Sequence, residues 1–375
     1  MKKLKRLDLR QLRQIDWRGV LRKKWVWFTA VSVLTFLIGL CFFTAFRHAG
    51  NTLRSQHMAE EFTGDGELEF AQVSVFLPEG NSIGDDDIWK FRETTRVNTQ
   101  DLVPETVKNL YLDAWSTKGS VNVKGEHGSS DATATAVGGD FFLLHPQNLL
   151  SGGYISSDDL MHDRVILDEE LAWKLFGGYD LTGLPVEIGG STFYVAGVIA
   201  RETDWATEKA YTDGAGLYMS YEAYKAMNEG AYISCYEAII PEPVENFAKM
   251  HVADNFAPKD AVVMVNSGRY SVGNVFSLLK NMGQRTMRTD TVYYPYWENA
   301  ARLVENRCMV LLVLAVLFWV CPAVFAVTIA VKTYRKSKRK LHETYLDLKD
   351  QYENRVLFQN LKEKLKGKKH GGTDS

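Results

Sequence analysis

Hydrophobic residues are concentrated in two long uncharged runs towards the ends of the 375-residue chain. The first run extends from Trp25 to Phe46 and the second from Cys308 to Val331. At about 1.5 Å of rise per residue, a helix of either length exceeds the roughly 30 Å thickness of a hydrocarbon core. Because a spanning helix satisfies its own backbone polar groups in lipid, both runs are predicted to be transmembrane helices.

The charged residues predict how these helices are oriented. Residues 1–24 contain ten Lys and Arg against two acidic residues, and residues 332–375 contain 13 against six. Residues 47–307 contain 21 basic against 38 acidic residues. The positive-inside rule therefore places both termini in the cytoplasm and residues 47–307 outside it. Aromatic residues flank both spans and are expected at the membrane interface: Trp25 and Trp27 at the first, and Tyr293, Tyr294, Tyr296 and Trp297 before the second.

The first run has two other interpretations, a cleaved signal peptide and a lipoprotein leader. Its length exceeds the 7–15 apolar residues usual in a signal peptide, and no clean cleavage site follows. The stretch from Ile38 to Cys41 resembles a lipoprotein box, but Leu40 is too large for the position before the cysteine. An uncleaved signal anchor is the prediction.

Between the two runs, short apolar segments alternate with helical ones, which indicates a mixed α/β domain. The first strand is expected at 68–77, followed by a helix that opens at Asp85 and ends near residue 98. In the strand at 192–199, Phe193, Val195 and Gly197 are expected on one face, and Tyr194, Ala196 and Val198 on the other. Further strands are expected near 110–124, 131–138, 164–167, 185–188, 232–240 and 261–265, with helices near 140–150, 168–176, 243–255 and 271–283.

Several of these segments, taken in order, resemble the periplasmic core domain of MacB-type ABC transporter permeases. In that family a strand leads into an acidic helix start, a Leu-Phe-Gly helix end, and a hairpin that closes on Val-x-Gly-Val. The chain has these elements at Val165–Leu167, Asp168–Glu170, Leu175–Gly177 and Val195–Val198. Upstream, Asp140-Phe141-Phe142 is similar to the family's Asp-Phe-Phe turn. The resemblance covers roughly residues 68–245 and predicts an α/β fold in which two transmembrane helices flank a domain of MacB periplasmic core type.

The resemblance implies mechanical coupling rather than chemistry. In such systems a separate cytoplasmic ATPase moves the spans, and the movement reaches the extracytoplasmic domain. Members of the family typically have three spans after the domain, whereas one is predicted here. Gly153 and Leu184 occupy positions where the family often has Arg and Lys. The resemblance also implies a bacterial plasma membrane location, an ABC ATPase partner, and either a second permease or self-association through the transmembrane helices.

No catalytic or cofactor-binding residues are predicted, because the sequence has no phosphate-binding loop of the G-x-x-x-x-G-K-[ST] type and no nucleophile elbow. No metal site is predicted either. Asp85–Asp87 and Asp158-Asp159 lack the spacing of a calcium loop and are expected to be helix starts or solvated loops. Cys235 is the one cysteine outside the spans and is expected to be a small buried apolar side chain. No nucleic-acid partner is expected.

The remaining expectations concern the spans and the cytoplasmic segments. Trp319 is a candidate for contact with another helix, and Pro322 for a kink. Residues 1–24 form a basic amphipathic segment expected on the inner leaflet. The tail at 332–375 is predicted to contain an amphipathic helix, with two interpretations left open: it lies on the anionic leaflet or it binds a partner subunit. Its apolar positions are Leu341, Tyr345, Leu348, Tyr352, Val356, Leu361 and Leu365.

Two functional hypotheses follow. The first is a permease-like membrane subunit of a MacB-type ABC system, in which the chain itself is not an enzyme. The alternative is a membrane-tethered binding or assembly module that works without an ATPase. Both share one predicted layout of segments: 1–24 cytoplasmic, 25–46 transmembrane, 47–307 extracytoplasmic, 308–331 transmembrane and 332–375 cytoplasmic.

Overall fold

The computed structural model describes residues 24–63, 68–101, 111–156, 159–211, 213–280 and 292–369. These residues divide into two compact units. We call Thr44–Leu312 the folded domain. We call the described residues up to Phe43 and from Val313 onwards the helical unit. Each unit is described separately.

The folded domain is built on a ten-stranded mixed sheet. Nine strands follow the order β10-β1-β9-β2-β3-β8-β5-β7-β4, and β6 pairs with both β2 and β7. The pairs β3–β8 and β5–β7 are parallel and the others are antiparallel. The strands are β1 (Phe70–Phe76), β2 (Leu112–Gly125), β3 (Gly128–Gly139), β4 (Asn148–Gly152), β5 (Arg164–Asp168), β6 (Pro185–Ile188), β7 (Ser191–Ala200), β8 (Gly216–Ser220), β9 (Cys235–Pro241) and β10 (Val262–Val265).

Ten α-helices accompany the sheet in the described part of the chain. Most are short. They are α1 (Lys24–Gly50), α2 (Met58–Thr63), α3 (Asp85–Thr99), α4 (Phe141–Leu144), α5 (Glu169–Phe176), α6 (Trp205–Ala210), α7 (Tyr221–Met227), α8 (Phe247–Asn255), α9 (Val272–Leu278) and α10 (Tyr296–Lys369).

Local chemistry explains why the best-predicted segment folds as it does. Asp168 ends β5 and caps α5, since its carboxylate accepts a hydrogen bond from the Leu171 amide at 2.7 Å. Gly177 ends the helix with a φ of 71°, in the left-handed region that glycine adopts without strain. The predicted mixed α/β class and the strand–helix–hairpin order of this segment are confirmed.

Two features of the sheet differ from the sequence expectation. Strand β8 lies in the middle of the sheet but was not predicted, because five residues with a terminal glycine give little periodic signal. The predicted alternation along β7 is wrong beyond Val195. The register shifts there, so that Val165 pairs with Val195 but Ile166 pairs with Gly197. Val198 therefore packs in the same core cluster as Val195, and Ala196 in the other.

The sheet separates two apolar clusters. The larger cluster packs α3, α5, α7 and α8 against strands β1, β3, β5 and β9. The smaller cluster contains the aromatic side chains Phe76, Phe141, Tyr218, Tyr294 and Trp297. Cys235 is buried in it, as expected of a small apolar side chain, and burial raises the pKa of its thiol.

In the helical unit, α1 and α10 are long and apolar enough to cross a membrane, and the side chains of their apolar stretches are mostly exposed. Trp319 packs between Phe36 and Phe43, and its indole nitrogen donates to the Phe36 carbonyl at 3.3 Å. A Cβ atom at Gly39 would lie 2.5 Å from this ring, so the glycine permits the approach. The predicted helix contact of Trp319 is confirmed. Helix α10 continues through Pro322.

Candidate functional site: a buried ion network between the two ends of the folded domain

Arg269 lies at the centre of a buried group of ions in the folded domain. It occupies the loop after β10, and its side chain is 2% exposed. Its guanidinium makes a two-pronged contact with Glu298, at 2.9 and 3.1 Å, and its Nε donates to Glu305 at 2.8 Å. It also donates to the Gln56 side-chain oxygen at 2.8 Å. We call these residues, together with Arg302, the junction network.

The junction network joins the segments by which the chain enters and leaves the folded domain. Gln56 belongs to a short 3-10 turn, Arg54–Gln56, that follows α1. Glu298, Arg302 and Glu305 lie on one face of α10, at spacings of four and three residues. Arg269 therefore binds both ends of the domain at once.

The charges in the network balance, which allows them to be buried. Two arginines face two glutamates, and Arg302 donates to Glu298 at 2.7 Å. The Arg302 guanidinium also lies 3.6 Å from the centre of the Tyr294 ring, a cation–π contact. Burial alone would raise the pKa of the Glu298 carboxyl, but its pairing with Arg269 and Arg302 outweighs burial and lowers the pKa below its ordinary value.

A second buried chain of hydrogen bonds starts in the same loop. Asn266 donates to the Ser74 hydroxyl at 2.7 Å, and Ser74 donates to Glu237 at 2.8 Å. The other Glu237 oxygen lies 2.5 Å from Nε2 of His145. His145 stacks on Phe141 and lies 4.8 Å, centre to centre, from the Trp297 ring. Polar contacts thus extend from the loop after β10 through the sheet to His145, whose ring contacts Trp297 in the first turn of α10.

Two of the aromatic residues before the second span, Tyr294 and Trp297, do not form the membrane-interface anchor that the sequence suggested. Tyr294 is 3% exposed and packs edge-on against Phe76, while Trp297 is 7% exposed and packs against Phe141. These rings are core side chains of the folded domain. The expectation is wrong because Tyr and Trp side chains, which combine an apolar ring with one polar group, pack in a domain core as well as at a membrane interface. Tyr293, by contrast, is half exposed.

Apolar packing reinforces the same two ends. On the entry side, Phe46, Ala49 and Leu53 are buried, and on the exit side Ala301 and Cys308 are fully buried. The Cys308 sulfur lies 3.8 Å from the Phe46 carbonyl oxygen, so the two helical segments touch directly. The small residues of α10 let the backbones approach closely.

Away from this network, a cavity of about 270 Å³ lies beside the carboxyl end of β7. Burial raises the pKa of Glu202, which lines it. Arg201 and Asp168 also line it, but they pair with each other at 2.8 Å, and Asp168 accepts a bond from the Gly216 amide at 2.7 Å. Their hydrogen bonds hold β5, β7 and β8 together, which is a structural role.

The acidic segments considered as metal sites have other partners. Asp87 accepts a bond from the Gly84 amide at the start of α3, and Asp85 lies 3.5 Å from Lys225. Asp159 lies 3.6 Å from Arg164, while Asp158 is outside the described residues. The described ranges hold no group of three or more His, Cys, Asp or Glu that would suit a metal ion.

The junction network was not predicted from the sequence. The spacing of Glu298, Arg302 and Glu305 was a usable signal, since it places three charges of alternating sign on one face of a helix. Arg269 had no comparable signal, because it lies in a loop about 30 residues upstream and reaches the others only in the folded chain.

A family model described as the MacB-like periplasmic core domain matches residues 29–246, more than half of the chain. The periplasmic region of MacB from Actinobacillus actinomycetemcomitans is 16% identical, with 57% of this chain and 94% of that chain covered and a TM-score of 0.38. The extracellular domain of YknZ, a noncanonic ABC-type transporter from Gram-positive bacteria, is 16% identical, with 52% and 99% covered and a TM-score of 0.35. No curated protein matches the chain.

Proposed function

The chain belongs to the MacB-like periplasmic core domain family, and we propose that it is a permease-like subunit that couples a separate cytoplasmic ATPase to its extracytoplasmic domain. Family membership and the two apolar helices make it a membrane protein with a periplasmic or extracellular domain of the ABC transporter permease type. The ATPase and the coupling are the proposed part.

The junction network is the observation that carries this proposal. A subunit that transmits movement needs its membrane-facing segments fixed to the domain they move. Arg269 supplies such a connection, because one buried guanidinium binds Gln56 after α1 and two glutamates on α10. Buried ion pairs have strict geometry, so a displacement of α10 along its axis would carry the loop after β10 with it.

The ATPase is assigned to a separate subunit because the sequence lacks a phosphate-binding loop. The proposed docking side is the cytoplasmic side, because the basic flanks at 1–24 and 332–375 favour a cytoplasmic location of both termini under the positive-inside rule. The same basic residues favour contact with anionic lipids of the inner leaflet.

Purification of the full chain from native membranes in mild detergent tests the partner. We expect a nucleotide-binding subunit to copurify in a fixed ratio and to hydrolyse ATP. Its repeated absence would overturn the proposal and favour a tethered module that works without an ATPase.

Limited proteolysis of the purified complex tests the coupling. We expect ATP, but not a non-hydrolysable analogue, to change the cleavage pattern of the folded domain. The variant Gln56→Leu keeps side-chain volume but removes one bond to Arg269, so it should weaken the ATP-dependent change while the domain stays folded. Gln100→Leu, at an exposed position, is the matched control. An unchanged response in Gln56→Leu would contradict a role for the junction network in coupling.

A further inference from the structure

An exposed apolar stripe runs along α10 with strict heptad spacing. Its members alternate at intervals of four and three residues, and its apolar members are between 42% and 73% exposed. We call it the heptad stripe: Val313, Leu317, Val320, Val324, Val327, Val331, Tyr334, Lys338, Leu341, Tyr345, Leu348 and Tyr352.

The part of the stripe beyond the span is the informative part. Within the span almost every residue is apolar, so apolar residues would be found there at any chosen spacing. Residues 332–353 are mostly charged or polar, and six of them are aliphatic or aromatic. Five of these six fall on the stripe, and Leu346 is the exception. Such a distribution is typical of a coiled-coil seam.

Most of the stripe lies off the face that α10 uses within the helical unit, and Val324 is the one member that lines a cavity with Trp25 and Phe28 of α1. Contacts with α1 come from Phe318, Trp319 and Phe325, none of which belongs to the stripe. A straight α-helix drifts by about 20° per heptad relative to a strict seven-residue repeat. Beyond the span, where the spacing is informative, a stripe that keeps this repeat from Tyr334 to Tyr352 stays on one side only if the helix supercoils around another helix.

We propose that the heptad stripe pairs with the same stripe of a second copy of this chain, as a parallel coiled coil beyond the membrane. Copies inserted in one membrane have the same orientation and the same depth, so their α10 helices are parallel and in register. Lys338 is the one polar residue on the stripe and occupies an a position, where a single polar residue fixes register at some cost in stability.

The flanking positions permit this pairing. In a parallel pair, each g residue faces an e residue of the next heptad in the partner. The g positions in the tail are Ser337, Thr344 and Gln351, all uncharged, so no like charges meet between g and e positions, and Lys338 is the one charged residue that meets its own copy in the seam. The e positions are Arg335, His342 and Lys349.

Disulfide crosslinking in membranes tests the seam. Cys41 and Cys321 are exposed and are replaced by Ala, while Cys235 and Cys308 are buried and are retained. This background variant, without an added cysteine, is the blank. In this background, Leu348→Cys places a thiol at a d position and Asp350→Cys places one at an outward f position. We expect oxidation to link Leu348→Cys chains about tenfold faster than Asp350→Cys chains, because a disulfide needs Cα atoms within about 7 Å.

A second substitution tests whether the stripe itself holds the copies together. Leu341→Asp, added to Leu348→Cys, places a charge one heptad away in the seam and should lower crosslinking about tenfold. Glu343→Gln, at an outward f position, should leave it unchanged. Thermal unfolding of the folded domain checks that each variant is intact.

Three results would overturn the proposal. Equal rates of crosslinking at positions 348 and 350 would indicate that the tails of two copies meet only by random collision. No crosslinking at Leu348→Cys would indicate a tail that lies on the leaflet or binds a different subunit. Undiminished crosslinking with Leu341→Asp would show that another surface joins the copies. The inference does not depend on an ATPase partner, so the experiment can confirm or refute it independently of the proposed function.

Discussion

The first turns of α10 and its tail contain the same kind of ion pair in opposite surroundings. In the first turns, Glu298 and Arg302 are four residues apart, with side chains 1% and 14% exposed and 2.7 Å between their atoms. In the tail, Arg339 and Glu343 have the same separation, but are 76% and 63% exposed and 3.6 Å apart. One pair belongs to a closed network and the other is open to solvent. The energetic weight of a charge pair therefore comes from its surroundings and not from its spacing.

Removing the centre of the buried network should have the largest effect. Arg269→Ala leaves Glu298 and Glu305 buried beside each other without their shared cation. We expect the free energy of unfolding of the folded domain to fall by about 3–5 kcal/mol, the range typical when one partner of a buried pair is lost. Denaturant unfolding followed by tryptophan fluorescence in detergent measures it.

The matched control for that variant is Arg54→Ala. Arg54 pairs with Glu61 at 2.8 Å, but its side chain is 66% exposed. Its removal should not change the free energy of unfolding of the folded domain. If both arginine variants unfolded alike, burial would not be what distinguishes the two kinds of pair.

Removing the other arginine of the network should have a smaller effect. Arg302→Ala removes a charged hydrogen bond to Glu298 and the contact with the Tyr294 ring, while Arg269 still neutralises the carboxylate. We expect a loss of about 1.5–3 kcal/mol, the value of a hydrogen bond to a charged group. The same unfolding measurement applies. A loss as large as that of Arg269→Ala would mean that Arg269 does not hold the network alone.

Acid should weaken the folded domain at the first turns of α10. The folded-state pKa of Glu298 is lowered, so its contribution to stability is present above the ordinary glutamate pKa of about 4.3 and is lost as pH falls through the folded value. We expect the stability of the wild type to fall more steeply below that pH than that of Glu298→Gln. Unfolding curves between neutral and acid pH measure the difference. Parallel slopes would show that Glu298 is not stabilised as an anion.

Sequence alone predicted the local elements well and the long-range contacts poorly. The β5–α5–β6–β7 segment was predicted because its caps and its turn glycines all lie within 37 residues, whereas the alternation along β7 was wrong beyond Val195. Strand β8 was missed because its place is set by β3 and β5, which are distant in sequence. Arg269 was missed for the same reason, since nothing near it in sequence explains why a charge should be buried there. Burial is a property of the folded chain. The amino-acid sequence does not distinguish a charged residue that is buried and paired from one that is exposed to solvent.

The smallest effect should come from the exposed pair in the tail. Glu343→Gln removes the partner of Arg339 on the outward face of α10, where both side chains are largely solvated. An exposed pair at this spacing contributes about 0.3–0.5 kcal/mol to its own helix and is screened by salt. We expect no shift in the unfolding transition of the folded domain, and a small loss of helix content by circular dichroism that disappears at high salt. A loss of domain stability comparable to that of Arg302→Ala would show that the spacing of a pair matters more than its burial, contrary to the contrast between the two regions.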